Sequence, residues 1–127
     1  MNTHHIRSPL ARAIGFGSAK GGVEHWWTER VTAVALVPLT IWFAASVTLA
    51  GADHAAFINW LRAPFSSVCM VLLLIALFYH MALGLQVVVE DYVHSRANIP
   101  VLIAMRLSCF ALAIAGVVAT LRIALSG

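Results

Sequence analysis

Three long runs of apolar residues, separated by short polar stretches, dominate the pattern of this chain. Residues 31–52 and 63–89 carry no charged side chain, and residues 101–125 are interrupted only by Arg106 and Arg122. Uninterrupted apolar runs of about 20 residues have the length of a helix that crosses a bilayer. We therefore predict an all-α chain with transmembrane helices at about residues 29–51, 64–92 and 100–125.

The residues between the runs indicate where helices begin and end. Gly21 and Gly22 are expected to break the chain ahead of the first span. Pro38 lies inside that span, where a kink is expected more than a break. Pro64 is expected in the first turn of the second helix. Residues 51–62 are expected to form a short loop with an interfacial turn.

Composition agrees with a membrane protein of one domain, residues 1–127. Hydrophobic residues make up 61% of the chain and charged residues 10%, and the mean hydropathy is +0.90. A soluble domain of this length has a different balance. Cys69 and Cys109 fall in separate apolar runs, which favours buried thiols over a disulfide or a metal pair.

The distribution of Lys and Arg predicts the orientation in the membrane. Arg62 is the only basic residue of the first loop, whereas Arg96 and Arg106 flank the second. The basic residues up to the first span are Arg7, Arg12, Lys20 and Arg30. By the positive-inside rule, residues 1–28 and the second loop are expected to be cytoplasmic and the C-terminus is expected on the opposite side of the membrane. The net charge of +3 follows from this topology, so we expect no nucleic acid as a partner.

One histidine lies inside the second apolar run, and an acid and a phenol follow it. The helical rotation from His80 to Asp91 is about 1100°, so the two residues lie within about 20° of one stripe. Gly84 lies on the stripe between them and lets a bulky group approach the backbone. Asp91 and Tyr92 are about 16 Å further along the axis, at the water interface. Ionisable residues inside a membrane helix are rare and usually functional.

Several uses of His80 are open at this point. It can hydrogen-bond to another helix, form a proton relay with Asp91, or bind the iron of a b-type haem, for which neutral imidazole is a common axial ligand. The other five histidines lie outside the apolar runs. A haem with two histidine ligands would therefore need its second histidine from another chain.

The remaining polar candidates also have two interpretations each. Asp91 and Tyr92 are either ordinary interfacial residues or part of a site above His80. The pair Trp26 and Trp27 either anchors the chain in the headgroup region or contacts a soluble partner. The arginines that flank the spans, Arg30 and Arg106, are either topology anchors or ligands of a haem propionate.

Two motifs resemble the small hydrophobic membrane anchor of succinate dehydrogenase, or complex II. One is the pattern H-x3-G-x-Q-x3-E/T-D-Y in the second of three helices, formed here by His80, Gly84, Gln86, Asp91 and Tyr92. The other is the stretch GSAKGGVEHWWTERVTAVALVP, residues 17–38. Together they cover much of the chain, and their spacing is fairly specific.

The resemblance implies a role for each candidate residue. The three spans would form half of a two-subunit helical bundle, with haem b held between this chain and a second membrane-anchor subunit that also has three helices. His80 would be the axial ligand of the haem iron, Gly84 would allow close approach of the haem, and Arg30 would hold a propionate. Tyr92 would donate a hydrogen bond to a carbonyl of ubiquinone, the substrate, with Asp91 shaping the site.

The resemblance also implies the partners. An iron–sulfur subunit and a flavoprotein subunit would dock on the cytoplasmic side, and they alone would hold the iron–sulfur clusters and FAD. This chain would be non-catalytic for succinate and would serve electron transport from the tricarboxylic acid cycle to ubiquinone in the bilayer. The alternatives are the anchor of a quinol:fumarate reductase, a b-type cytochrome or proton-relay protein outside complex II, and a packing subunit without a cofactor.

Overall fold

The computed structural model describes residues 20–126, and this part of the chain forms four helices and no strand. They are α1 (Lys20–Ala50), α2 (His54–Arg62), α3 (Pro64–Tyr92) and α4 (Asn98–Leu125). The helices α1, α3 and α4 are each long and apolar enough to cross a membrane. This confirms the predicted all-α fold with three spans. Of the N-terminal segment predicted over residues 1–28, residues 1–19 lie outside the described part.

Helix α1 begins nine residues before the predicted start of the first span. The expected break at Gly21 and Gly22 is wrong, because both glycines lie inside the helix. A glycine in a helix costs about 1 kcal/mol relative to alanine, a cost that the 29 other residues of this 31-residue helix offset. The helix also continues through Pro38 without a break.

The stretch predicted as a loop, residues 51–62, contains the helix α2. Gly51 follows the end of α1 with φ of 70°, a left-handed conformation that glycine adopts without strain. The Asp53 carboxylate then caps α2 by accepting from the backbone N–H groups of Ala55 at 3.2 Å and Ala56 at 3.3 Å. With only nine residues, α2 is too short to give a clear periodic pattern.

Prolines stand in the first turns of both later spans. Pro64 is in the first turn of α3, as predicted. Helix α4 begins at Asn98, two residues before its predicted start, so that Pro100 also falls in a first turn. The N–H groups of a first turn have no partner within the helix, so a proline there removes no hydrogen bond.

The buried core lies in the half of the bundle next to α2. Leu61 of α2 and Met70 and Leu73 of α3 are between 3% and 8% exposed. Half-buried apolar residues packed against them are Leu36, Leu39, Phe43, Phe57, Trp60, Leu74 and Ile123. The Trp60 ring centroid is 5.2 Å from that of Trp42 and 5.4 Å from that of Phe57. Helix α2 and these rings close that end of the bundle.

Small residues bring α4 close to α3. Cys109, Ala113, Gly116 and Thr120 recur at spacings of three and four along α4, and Cys109 and Thr120 are 5% and 4% exposed. A Cβ atom at Gly116 would be 3.1 Å from Cδ1 of Leu74. Helices in a bilayer associate through such close packing, because lipid supplies no hydrophobic force between them. Of the two cysteines predicted to be buried, Cys109 is buried and Cys69 is only partly buried.

We predict that Gly116→Leu weakens the contact between α3 and α4. The added side chain overlaps Leu74, and overpacking of this kind costs about 1–3 kcal/mol. The measurement is thermal unfolding of the purified full chain in detergent. Gly116→Ala should change little, because only the flexible end of Leu74 has to move. The control is Ala115→Leu at the neighbouring exposed position, and equal unfolding of the two leucine variants would contradict the prediction.

Candidate functional site

The face of α3 that carries His80 is buried in one half of the bundle and open in the other. Met70 and Leu73 belong to the core, at 8% and 6% exposed. Leu77 and Val88 are 40% and 50% exposed. Helical rotation nevertheless puts these four residues and His80 within about 80° of one another, on one face of α3. The bundle thus opens from about Leu77 towards the end of α3, and we call this region, with residues 77–92 of α3, the open half.

His80 lies at the base of the open half and contacts α1 through Thr32. The Nδ1 atom of His80 is 3.0 Å from the Thr32 hydroxyl oxygen. The same oxygen is 2.8 Å from the backbone carbonyl oxygen of Thr28 and 3.0 Å from that of Glu29. No other hydrogen bond to the His80 ring occurs within residues 20–126. One ring nitrogen is therefore held by the protein, and the other, Nε2, is left for a further ligand.

Gly84 borders open space one turn beyond His80. A Cβ atom built at Gly84 meets no heavy atom within 4 Å. Packing inside this chain therefore does not require a glycine here, although glycine costs about 1 kcal/mol relative to alanine in a helix. The absence of a side chain becomes useful only if something outside the described residues approaches the backbone of α3.

Asp91 and Tyr92 lie at the end of α3, where both side chains are exposed. Asp91 continues the stripe of His80 and Gly84, whereas Tyr92 is about 120° around the helix from His80. The Tyr92 side chain is 81% exposed. Neither residue's side chain has a hydrogen bond or an ion pair to the rest of residues 20–126, so its oxygen atoms are available to a ligand.

Arg30 is not next to His80. It lies two residues before Thr32, which puts it about 160° around α1 from Thr32, and its guanidinium is 5.4 Å above the ring centroid of Trp26.

His25, by contrast, is seven residues before Thr32 and lies within about 20° of it around the axis of α1. Its Nε2 atom is buried without a hydrogen-bond partner. Sequence reasoning missed both Thr32 and His25 as residues of this face.

A second polar group connects α3 to α4 on another face. Arg106 donates to the side-chain oxygen of Gln86, and Gln86 donates to Glu90 at 2.7 Å. Gln86 and Arg106 lie at one end of an apolar groove of about 820 Å³ between α3 and α4, which is also lined by Phe78 and Phe110 among others. The groove is about 140° around α3 from His80. Arg106 and this groove are thus separate from the site at His80.

The described residues do not by themselves form a metal site. No group of three or more His, Cys, Asp and Glu side chains that could hold a metal ion occurs among them. A metal bound at His80 Nε2 would need its other ligands from outside residues 20–126. The site can offer one imidazole nitrogen, space beside Gly84, and an exposed acid and phenol at the membrane edge.

Three long apolar helices define the class: a multi-pass membrane protein. The family model described as succinate dehydrogenase/fumarate reductase transmembrane subunit matches residues 5–120. The chain belongs to this family, and its relatives place it with the membrane anchors of succinate dehydrogenase.

Three relatives illustrate the similarity, and each is named as a succinate dehydrogenase hydrophobic membrane anchor subunit. The Rickettsia bellii protein is 34% identical over 92 residues, which cover 72% of this chain and 74% of the relative. The Rickettsia conorii protein is 32% identical over 120 residues, 91% of this chain and 94% of the relative. The Paracoccus denitrificans protein is 33% identical over 86 residues, 67% of each chain.

Proposed function

We propose that this chain binds a haem b through His80 Nε2 and forms part of a ubiquinone-reduction site at Tyr92, within a succinate:ubiquinone oxidoreductase. The observation that carries the haem proposal is the contact between His80 and Thr32. It occupies Nδ1 and leaves Nε2 as the free ring nitrogen. Metal-binding histidines usually have their second nitrogen held in this way by a protein group.

The surroundings of His80 fit a flat, bulky prosthetic group. The open half exposes an apolar stripe of α3 beside the histidine, and Gly84 leaves the backbone of that stripe uncovered. A haem bound there would supply an iron centre that takes up and releases one electron. Because the apolar runs of the sequence contain one histidine, His80, the second axial ligand is expected from the second membrane anchor, whose helices would cover the open half.

The residue that holds a propionate is less directly supported. The family resemblance assigns this role to Arg30, whose guanidinium would have to leave Trp26 to turn towards the face of Thr32. His25 lies on that face already, and its buried Nε2 has no partner. Arg30 stays a prediction from the resemblance, and His25 is a second candidate supported by its position.

The quinone proposal depends on two exposed groups at the end of α3. The Tyr92 phenol can donate a hydrogen bond to a quinone carbonyl, and it stabilises the negative charge that develops there during reduction. Asp91 lies beside it at the membrane edge, where water supplies the protons. Gly84 and Asp91 share the stripe of His80, so the quinone and the haem would be neighbours along the same helix.

The partners follow from membership of complex II. We propose that an iron–sulfur subunit and a flavoprotein subunit, which hold the iron–sulfur clusters and FAD, dock at the end of the bundle that carries Trp26 and Tyr92. The basic residues from Arg7 to Arg30 support a cytoplasmic position for this end and a periplasmic C-terminus in a bacterial inner membrane. Succinate itself would be oxidised on the flavoprotein.

Two alternatives differ in how well they fit. The anchor of a quinol:fumarate reductase remains the second candidate, because the matching family model covers both enzymes. A proton relay from His80 to Asp91 fits less well. The two residues are about 16 Å apart along α3, and Gly84 and Val87, which lie on the stripe between them, carry no polar side chain.

We predict that His80→Ala removes or weakens the low-spin haem signal of the purified complex, because the iron loses one imidazole. The measurement is the reduced-minus-oxidised optical spectrum together with the haem-to-protein ratio. His94→Ala, at an exposed position after α3, is the matched control and should behave as wild type. An unchanged spectrum and ratio in His80→Ala would rule out ligation by His80.

Gly84→Leu tests whether the open space beside His80 holds a haem. In this chain alone an added Cβ atom meets no heavy atom within 4 Å, and leucine favours the helix over glycine by up to about 1 kcal/mol, so the chain should accumulate normally. In the complex we expect a lower haem-to-protein ratio, with Gly84→Ala intermediate. Ala111→Leu adds a similar volume at an exposed position of α4. If Gly84→Leu and Ala111→Leu bind haem equally, the space at Gly84 is not the haem site.

Tyr92→Phe tests the quinone proposal by removing one hydroxyl while keeping the ring. Loss of one donor to a developing oxyanion commonly lowers a rate about 10²-fold, so quinone reduction should fall. Succinate oxidation with an artificial acceptor that takes electrons before the quinone should persist. Tyr79→Phe changes the only other tyrosine and should keep both activities. If Tyr92→Phe also keeps both, with quinone near its KM, the quinone assignment fails.

A further inference from the structure

We propose that Thr32 is a positioning residue for His80: its hydroxyl oxygen accepts a hydrogen bond from Nδ1–H and so selects the tautomer whose Nε2 binds iron. This inference depends on the haem ligation proposed above and adds a residue of α1 to that site. It also gives the threonine a function that can be separated from simple packing between α1 and α3.

The proposed direction of the hydrogen bond is the one in which the Thr32 hydroxyl proton stays within α1. The Thr32 hydroxyl has one proton, and two backbone carbonyl oxygens, those of Thr28 and Glu29, lie 2.8 and 3.0 Å from its oxygen. A carbonyl oxygen can only accept. When the proton points to these carbonyls, the contact of 3.0 Å to His80 Nδ1 requires that Nδ1 carries the proton.

Other threonines of α1 show that this arrangement is the ordinary one for the helix. Thr28, Thr40 and Thr48 each donate to the carbonyl four residues earlier at 2.7 Å, and none of the three has a hydrogen bond to a histidine. Thr32 makes the same bond to the carbonyl of Thr28. In this arrangement its hydroxyl proton stays within α1, and the lone pairs of its oxygen are available to accept from His80 of α3. A neutral imidazole with its proton on Nδ1 has its lone pair on Nε2.

The hydrogen bond would also tune the metal. A group that accepts from the distal N–H of a ligating histidine fixes the ring orientation and raises its basicity. A more basic imidazole stabilises ferric over ferrous iron and lowers the midpoint potential. The chain of bonds from His80 through Thr32 to the α1 backbone strengthens this effect, because consecutive hydrogen bonds polarise one another.

The experiment measures the haem midpoint potential, spectrum and haem-to-protein ratio in the intact complex. Thr32→Val keeps the shape and removes the hydroxyl. We expect one of two effects. Either the preference for ferric iron falls about tenfold, which raises the midpoint potential by about 59 mV for a one-electron couple, or the haem affinity falls about tenfold. Thr32→Ser, which keeps the hydroxyl, should restore the wild-type values. Thr40→Val removes a back-bonded hydroxyl at an exposed position of α1 and should have no effect.

The outcomes separate this inference from the haem proposal. If His80→Ala keeps the haem spectrum, ligation itself is wrong. If His80→Ala removes the spectrum while Thr32→Val has wild-type potential and haem content, ligation stands and the positioning role of Thr32 is wrong. A shift in Thr32→Ser as large as that in Thr32→Val also overturns it. Should Thr32→Val fail to assemble, Thr32→Ala removes the same hydroxyl without adding volume, and the same criteria apply to it.

Discussion

The packing of α2 against the two helices that flank it is the interaction on which the rest of this structure depends. Leu61 enters the space beside Met70 and Leu73, and Trp60 stacks near Trp42 and Phe57. Apolar contact in a bilayer has no hydrophobic driving force between helices, so shape and close approach must hold them together. Because this packing is concentrated at one end, α1 and α3 are held there and are exposed at the other.

The open half is where the polar chemistry of α3 lies. His80 marks its base, Gly84 leaves part of its wall bare, and Asp91 and Tyr92 stand at its rim. A polar side chain inside a membrane has to be satisfied within the protein or by a ligand. The protein satisfies one nitrogen of His80 through Thr32, and a bound haem would satisfy the other. The region that is poorly packed within this chain is thus the region where we propose that a cofactor and a second subunit bind.

The sequence predicted the three spans and the stripe from His80 to Asp91, because apolar length and helical rotation are local properties. It did not predict Thr32 as the partner of His80. Thr32 is twelve residues after the start of α1, and His80 is twelve residues before the end of α3, so the antiparallel helices match in depth. The predicted start at residue 29 hid this match, since it put Thr32 only three residues into the helix.

Two further misses have the same origin in packing and capping. Helix α2 depends on the Asp53 cap and on burial of Leu61, neither of which gives a periodic signal over nine residues. The hydrogen bond from Arg106 to Gln86 joins α4 to α3 between residues that are far apart in the sequence. The sequence therefore identified Gln86 as part of a motif, but it did not predict that Gln86 contacts another helix. The membrane-anchor class was predictable because it depends on motifs and composition, which do not require knowledge of these contacts.

The location of the core has a consequence for how the chain is made. Apart from Ile123, every residue of the core cluster precedes residue 75, so α1, α2 and the first part of α3 can pack before α4 has left the ribosome. The hairpin formed by α1, α2 and α3 would then have its core packed in the membrane while its open half is still uncovered. Helix α4 can then dock through the contact of Gly116 with Leu74, and in this order of assembly the face of His80 would stay accessible to a partner during synthesis.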